Sequence, residues 1–209
     1  ILSEDCLWAR QALAGSSQWI AVQAGASDSM KVWRPHLFGL SLAQLCKQWD
    51  GGLAFIGNSE EEATIAEVMR VYREAGGRNP VKNFAGRTTL SRLAALLAEC
   101  RTLLTNDTGP MHVGVAAGTS VIDLSVGHVD FQETGPYGAG HWVVQPELDC
   151  APCGFEQVCA HHACKDRISP DFVADLLLHV LKGTPMPSRA SGARLYMSDV
   201  DEDGLGTFR

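Results

Sequence analysis

The stretch from Leu103 to Gly118, LLTNDTGPMHVGVAAG, carries residue types at a spacing that could do chemistry. A short apolar run predicts a strand, and an Ala/Gly/Val run with helical spacing predicts a helix after it. Between them, Asp107 or Thr108 can cap the helix, and Pro110 suits its first turn. The unpaired N–H groups there would attract an anion, and Gly109 has no side chain to keep a ligand away. Taken alone, the pattern is equally typical of a simple chain reversal.

A second junction of this kind follows the apolar strand predicted at Trp19 to Val22. The strand leads into a loop of small and polar residues that contains Gly25-Ala26-Ser27, and Lys31 comes just after it. A single lysine is ordinarily a solvated surface charge. At the carboxyl end of a strand, Lys31 can equally serve as a cation for a diphosphate. Both interpretations remain open at this point.

The next predicted strand, Leu53 to Ile56, ends in an acidic run that includes Glu60 and Glu61. Ser59 is a good helix cap with Glu62 three residues later, so the run is best explained as a capping box. The alternative is that one glutamate holds ribose hydroxyls.

The alternation of strands and helices with short connections predicts an α/β protein, a Rossmann-like doubly wound parallel sheet. Ligands of such sheets bind at the carboxyl ends of the strands. We assign residues 1–18 to a leading helix or interdomain segment and residues 19–183 to the Rossmann-like domain. Residues 184–209 are expected to be a linker or poorly ordered tail. Two further expectations are a surface loop at 125–137 and an edge strand at 142–145.

Composition restricts the classes of function. The formal net charge of -7 argues against a general nucleic-acid binder, because contact with phosphates needs a basic face. The sequence shows no signal peptide and no apolar stretch long enough to span a bilayer, so a cytoplasmic location is expected. The chain begins at Ile1, and we expect it to be part of a longer protein.

Four of the seven cysteines crowd into residues 150–164: Cys150, Cys153, Cys159 and Cys164. Together with the neighbouring histidines they have the ligand types of a tetrahedral zinc site. The alternative, which we favour, is a loop of reduced cysteines that pack as small hydrophobic side chains or form disulfides in oxidising buffer. We also expect this segment to lie away from the nucleotide-binding turns.

Taken together, these motifs resemble those of the bacterial heptosyltransferases of glycosyltransferase family 9. The most specific match is Thr105-Asn-Asp-Thr-Gly-Pro-Met-His112, with Ala116, Ala117 and Gly118 behind it. Supporting matches are the Gly25-Ala-Ser27 loop with Lys31, Trp33 and Pro35, the Phe55-Ile-Gly57 strand end, and the Cys150-Ala-Pro-Cys153 segment with Cys159, His162 and Cys164.

The resemblance implies one half of a GT-B glycosyltransferase, an enzyme of two Rossmann-like domains with the active site between them. This chain resembles the carboxyl-terminal, donor-binding domain. The implied reaction is an inverting transfer of heptose from ADP-heptose to the lipopolysaccharide inner core, with no metal or cofactor. The missing amino-terminal domain would supply the general base and most contacts to the acceptor, and the intact enzyme would be cytoplasmic, with peripheral association at the inner membrane.

Six residues receive a role in nucleotide-sugar binding from the resemblance. Asp107 would contact the heptose hydroxyls, and Thr108 and Gly109 would present N–H groups to the diphosphate. His112 would lie close to the phosphates, while Lys31 and Ser27 would contact them from the first loop. Glu60 or Glu61 would face the ribose, and the backbone at 87–89 would border the adenine.

Ala26 departs from the family pattern, because many relatives carry a hydroxyl there that would contact a phosphate. The identity of the sugar is therefore open, and a glycosyltransferase domain for another nucleotide sugar is kept as an alternative. The cysteines leave a second alternative, a non-catalytic zinc or nucleotide-binding module.

Overall fold

The computed structural model describes residues 1–154, 159–187, 192–202 and 206–209. The helices of these ranges are α1 (Ser3–Ala12), α2 (Pro35–Leu45), α3 (Glu62–Glu74), α4 (Leu90–Ala98), α5 (Gly109–Ala116), α6 (Phe131–Thr134), α7 (Cys164–Arg167) and α8 (Pro170–Lys182). The strands are β1 (Trp19–Gln23), β2 (Gly52–Phe55), β3 (Val81–Asn83), β4 (Thr102–Asn106), β5 (Ser120–Leu124), β6 (Trp142–Pro146), β7 (Ala193–Val200) and β8 (Gly206–Phe208).

The strands form one sheet in the order β3-β2-β1-β4-β5-β6-β7-β8. The first six are parallel, and in the central strand β1 the residue Ile20 pairs with Leu53 on one side and with Thr102 on the other. The sheet order reverses direction between β1 and β4, so their carboxyl ends open a crevice there. The predicted Rossmann-like doubly wound sheet is thereby confirmed, and the crevice lies where the two sequence motifs end.

Helices cover both faces of the parallel strands and produce two apolar cores. One face packs against α2, α3 and α8, and its core includes the buried side chains Trp33, Phe38 and Phe55. The other face packs against α1, α4 and α5 around Leu103 and Val121. Because the central strands are buried on both sides, their sequences are continuous apolar runs, which is typical of parallel sheets. Within the described ranges, no helix is both long enough and apolar enough to cross a membrane.

The segment after Gly183 differs from the linker expected from its composition. Residues 188–191 and 203–205 lie outside the described part, but β7 pairs antiparallel with β6, Leu195 opposite Val144, and β8 pairs with β7. The Trp142 to Gln145 strand is therefore not at the edge of the sheet, contrary to expectation. The Pro, Ser and acidic residues that suggested a linker flank a short run with strand-forming side chains, including Leu195 and Tyr196.

The predicted surface loop at 125–137 is also wrong for its first part. Residues 125–129 are buried, and α6 follows with the side chain of Phe131 packed between Tyr196 and Phe208 at ring-centroid distances of 4.6 and 5.0 Å. The Gly, His and Asp content of this stretch predicted solvent exposure. The added strands β7 and β8 supply the apolar surface that covers it instead.

Candidate functional site

The turn after β4 fixes the geometry of the site. Helix α5 starts at Gly109 with Pro110 in its first turn, as the sequence predicted. A Cβ placed on Gly109 would meet nothing within 4 Å, so the backbone at the helix start is open to a ligand. Thr108 occupies the N-cap position, but neither it nor Asp107 caps the helix through its side chain, contrary to expectation. The first-turn N–H groups are therefore not taken up by a capping side chain.

Asn106 fastens this turn to the loop after β1. Its fully buried side chain accepts a hydrogen bond from the Trp33 N–H at 3.0 Å and donates to the carbonyls of Ala24 and Gly25, both at 3.1 Å. Asn106 thus uses its amide as both acceptor and donor. The two loops that the sequence singled out are held against each other by this one side chain.

The loop after β1 directs Lys31 toward Asp107. The Asp28 side chain accepts from the Met30 N–H and caps a 3₁₀ turn at Ser29–Lys31. The Lys31 ammonium then donates to Asp107 Oδ1 at 3.0 Å, although the two residues are 76 positions apart. Their side chains are 22% and 5% exposed, so the pair is shielded from much of the solvent screening that weakens surface ion pairs. A charged partner explains why Asp107 bonds Lys31 rather than the helix start.

Thr134 contacts the second oxygen of Asp107. Its hydroxyl donates to Asp107 Oδ2 at 2.7 Å from the end of α6. No pattern in the sequence pointed to Thr134, because it lies in the stretch that was assigned to a surface loop.

A cleft of about 530 Å³ opens beside the Gly109 turn at the carboxyl ends of the strands. Of the predicted site residues, Ser27, Thr108 and Gly109 line it, while Lys31, Asp107 and His112 are not among its lining residues. His112 is exposed on α5. The remaining lining residues are Gln23, Ala26, Gly57, Asn58, Ser59, Glu61, Gly86, Thr88, Thr89, Leu90, Leu93 and Pro110. The loop at 87–89, predicted to border a base, thus contributes Thr88 and Thr89.

The acidic run after β2 caps a helix, as predicted, but one residue earlier. The capping box joins Asn58 and Glu61 rather than Ser59 and Glu62. The buried Glu61 carboxylate accepts from the Asn58 N–H at 2.7 Å, and its two oxygens accept from the Gln23 amide nitrogen at 3.0 and 3.1 Å. It also lies against Gly25, where a Cβ would come 2.1 Å from its Oε1, so a larger residue at this loop position would displace the Glu61 carboxylate. Glu60 is exposed.

The cysteine-rich segment does not lie away from the site. Residues 155–158 are outside the described part, but the Cys153 N–H donates to the Gly127 carbonyl at 3.1 Å, and the Lys165 ammonium donates to the Ser29 carbonyl at 2.5 Å. Arg34 forms a bidentate ion pair with Asp166, in which its Nε and Nη2 each donate to one carboxylate oxygen at 2.9 Å. The helix α7 at the end of this segment therefore docks, through Lys165 and Asp166, on the loop that carries Lys31.

A second cleft, of about 490 Å³, opens where this segment meets the first loop. Burial, followed by repulsion from the Arg34 charge, lowers the pKa of Lys165 from its ordinary value. The residues that line this cleft are Gly25, Ala26, Ser27, Ser29, Val32, Arg34, Pro35, Asn58, Glu60, Glu61, Thr64 and Lys165. Because it shares Ala26, Ser27, Asn58 and Glu61 with the first cleft, the two lie on either side of the same loop.

The zinc alternative finds no support in the arrangement of these cysteines. Among the described residues, which include every Cys and His of the segment, no three His, Cys, Asp or Glu side chains are placed to hold a metal ion. Burial, and then the charges of the neighbouring thiols of Cys164, Cys150 and Cys159, raise the pKa of Cys153.

Asp123 is a buried carboxyl that sequence reasoning missed. It lies on β5, is fully buried, and neither carboxyl oxygen has a hydrogen-bond partner among the described residues. Burial, reinforced by the negative charge of Asp107 and opposed by Lys31, raises its pKa well above the ordinary value. The signal in the sequence was an acidic residue inside an otherwise apolar strand, SVIDL.

Fold and site define a Rossmann-like α/β protein with a ligand cleft at the topological switch point of its sheet. The sequence profile of glycosyltransferase family 9 (heptosyltransferase) matches residues 3–163, most of the chain. The chain belongs to this family.

Individual relatives agree with this assignment. The chain is 26% identical over 176 residues to lipooligosaccharide heptosyltransferase 2 of Campylobacter jejuni, a match that covers 82% of this chain and 54% of that protein. In fold it is similar to E. coli ADP-heptose lipopolysaccharide heptosyltransferase II, with a TM-score of 0.69 and 21% identity over 87% of this chain and 52% of that one. It is also similar to E. coli heptosyltransferase WaaC with ADP, with a TM-score of 0.53 and 17% identity over 66% of this chain and 41% of that one. The chain thus spans about half the length of the relatives it matches.

Proposed function

We propose that this chain is the donor-binding half of a heptosyltransferase that moves heptose from ADP-heptose to the inner core of lipopolysaccharide. Family membership supports the reaction class, and two relatives are described with ADP-heptose or ADP in their names. The other half of the enzyme would bind the acceptor and supply the general base.

The observation that carries the proposal is the meeting of the two loops at Lys31 and Asp107, next to the open helix start at Gly109. An ammonium has three N–H donors, and Lys31 gives one to Asp107, so two remain for a diphosphate. The N–H groups at the start of α5 add fixed positive potential. Departing ADP would carry its negative charge toward these groups, and stabilising that charge lowers the barrier to transfer.

The first cleft suits the rest of the nucleotide. It extends from the Gly109 turn to Thr88 and Thr89, with the apolar side chains of Leu90 and Leu93 on its wall. A base placed against these residues would leave Glu61 near the ribose. Because Glu61 is already hydrogen bonded to Gln23 and Asn58, it would accept ribose hydroxyls in a fixed orientation.

Calorimetric titration of the chain with ADP, UDP and GDP tests the proposal. ADP should bind, and UDP and GDP should bind more weakly or not at all. Lys31→Met should weaken ADP binding by about tenfold or more, since a charge-assisted hydrogen bond is lost. Asp107→Asn added to Lys31→Met removes the carboxylate that would otherwise be left without its cation.

Lys47→Met, on an exposed lysine just after the end of α2, is the matched control and should bind ADP as wild type does. Folded wild-type protein that binds none of the three nucleotides would contradict the donor-binding proposal. Equal binding of all three would contradict the choice of ADP.

A further inference from the structure

Thr134 holds the one carboxylate that the proposed site directs at the donor sugar. Its hydroxyl lies 2.7 Å from Asp107 Oδ2 and 3.1 Å from the carbonyl of Asp130. A threonine hydroxyl has a single proton to donate. The carboxylate is both nearer and charged, so the hydroxyl donates its hydrogen bond to Asp107 rather than to the carbonyl.

Asp107 then has a defined remaining capacity. Lys31 occupies Oδ1 and Thr134 occupies Oδ2, and each carboxylate oxygen can accept a second hydrogen bond. The two free positions belong to one rigid group whose plane is set by contacts on both oxygens. Such a group suits two neighbouring hydroxyls of a sugar, one on each oxygen.

Donor binding would weaken one of the two contacts that hold the Asp107 carboxylate. When a diphosphate attracts the Lys31 ammonium, the Lys31 contact with Asp107 is weakened. Among the described residues, the Thr134 hydroxyl is then the remaining side-chain contact that holds the carboxylate.

Thr134 is well placed for this task because α6 is firmly anchored. The Asp130 side chain caps the helix by accepting from the Gln132 N–H at 3.1 Å. Phe131 is buried against Tyr196 of β7 and Phe208 of β8. The strands after residue 192 therefore support the position of the Thr134 hydroxyl.

We propose that Thr134 is a positioning residue that orients Asp107 toward the donor sugar, and that it contributes to the preference for ADP-heptose over ADP. The inference rests on the proposed function and adds a residue that selects for the sugar. Thr134 itself need not touch the ligand.

The test compares ADP with ADP-heptose in calorimetric titrations of wild type, Thr134→Val and Thr134→Ser. Valine keeps the shape and removes the hydroxyl, while serine keeps the hydroxyl. Thr134→Val should bind ADP within about twofold of wild type and lose about tenfold in affinity for ADP-heptose, as expected for one lost hydrogen bond to a charged group. Thr134→Ser should keep the wild-type preference.

Three outcomes would overturn the inference: an equal loss for both ligands, no loss for either, or a loss in Thr134→Ser as large as in Thr134→Val. If Thr134→Val does not fold, as judged by circular dichroism, Thr134→Ala, which also lacks the hydroxyl, takes its place with the same expected results. Failure of the proposed function gives a different result, since wild type would then bind neither ligand, and the role of Thr134 would fall with it.

Discussion

Replacing Asp123 by Asn should stabilise the protein increasingly as the pH rises. The carboxyl is fully buried on β5 and its oxygens have no hydrogen-bond partner within the described residues. Burial and the nearby Asp107 charge keep its pKa well above the ordinary value, so the folded protein holds this proton to a higher pH than the unfolded chain does. In the unfolded chain the same group ionises above a pH of about 4.

The direction of this pH dependence follows from the number of protons that the folded and unfolded states bind. Between the ordinary and the raised pKa, the folded state binds one more proton than the unfolded state, so the free energy of unfolding falls as pH rises. The stability that Asp123 contributes is thus complete below the unfolded pKa and is lost toward the folded one. The loss is roughly 1 kcal/mol or slightly more for each pH unit. Across the range between the two pKa values, Asp123→Asn should therefore gain stability relative to wild type by the same amount for each pH unit.

Guanidinium unfolding followed by circular dichroism at several pH values measures this difference. Asp175→Asn, on the exposed face of α8, removes a carboxylate from a solvent-facing position and serves as the matched control. The measured quantity is the difference between variant and wild type at each pH, which cancels the pH dependence of all other groups.

A difference between the Asp123→Asn and wild-type curves that stays constant as the pH rises above about 4 would refute the reasoning. It would mean that the folded protein holds Asp123 ionised, with partners that offset the burial of its charge.

Two further predictions concern stability. Asn106→Ala should lower the free energy of unfolding by about 2–4 kcal/mol, because the buried Trp33 N–H and two carbonyls lose their partner. Gln11→Ala, at an exposed position of α1, should change the free energy of unfolding little. Thermal unfolding checks both, and similar losses in the two variants would contradict the role of Asn106. Gly39→Ala should cost about 1–3 kcal/mol, since its Cβ would come within 2.7 Å of Val71 Cβ between α2 and α3. A melting temperature equal to that of wild type would show that these helices move apart freely.

Local patterns in the sequence were sufficient to predict the parallel core. Apolar runs bounded by turn residues placed the parallel strands β1, β2, β4 and β6, and the Pro110 and Gly109 signals placed the start of α5 correctly. These features depend on residues within a few positions of one another, and the spacing of side chains in strands and helices is fixed by backbone geometry. The family resemblance, rather than these local patterns, predicted that Ser27, Thr108 and Gly109 contact one ligand, and the three residues line one cleft.

The errors have a common origin in contacts that no local pattern carries. The exposed loop and the linker were inferred from composition, but Phe131 is covered by Tyr196 and Phe208 from strands that follow much later in the chain. The cysteine-rich segment was placed away from the site, yet Asp166 meets Arg34 across 132 positions.

The sequence by itself determined the alternation of strands and helices through β5, the open helix start and the identity of Lys31 and Asp107 as candidates. Only the tertiary structure decided that Lys31 and Asp107 are partners, that Thr134 fixes the second oxygen of Asp107, and that Asp123 is buried with no hydrogen-bond partner among the described residues. The physical reason is that parallel strands joined by helices bring together turns separated by dozens of residues. The charge and hydrogen bonding of a side chain depend on those neighbours in space. The helix or strand to which a residue belongs is set largely by its neighbours in the chain.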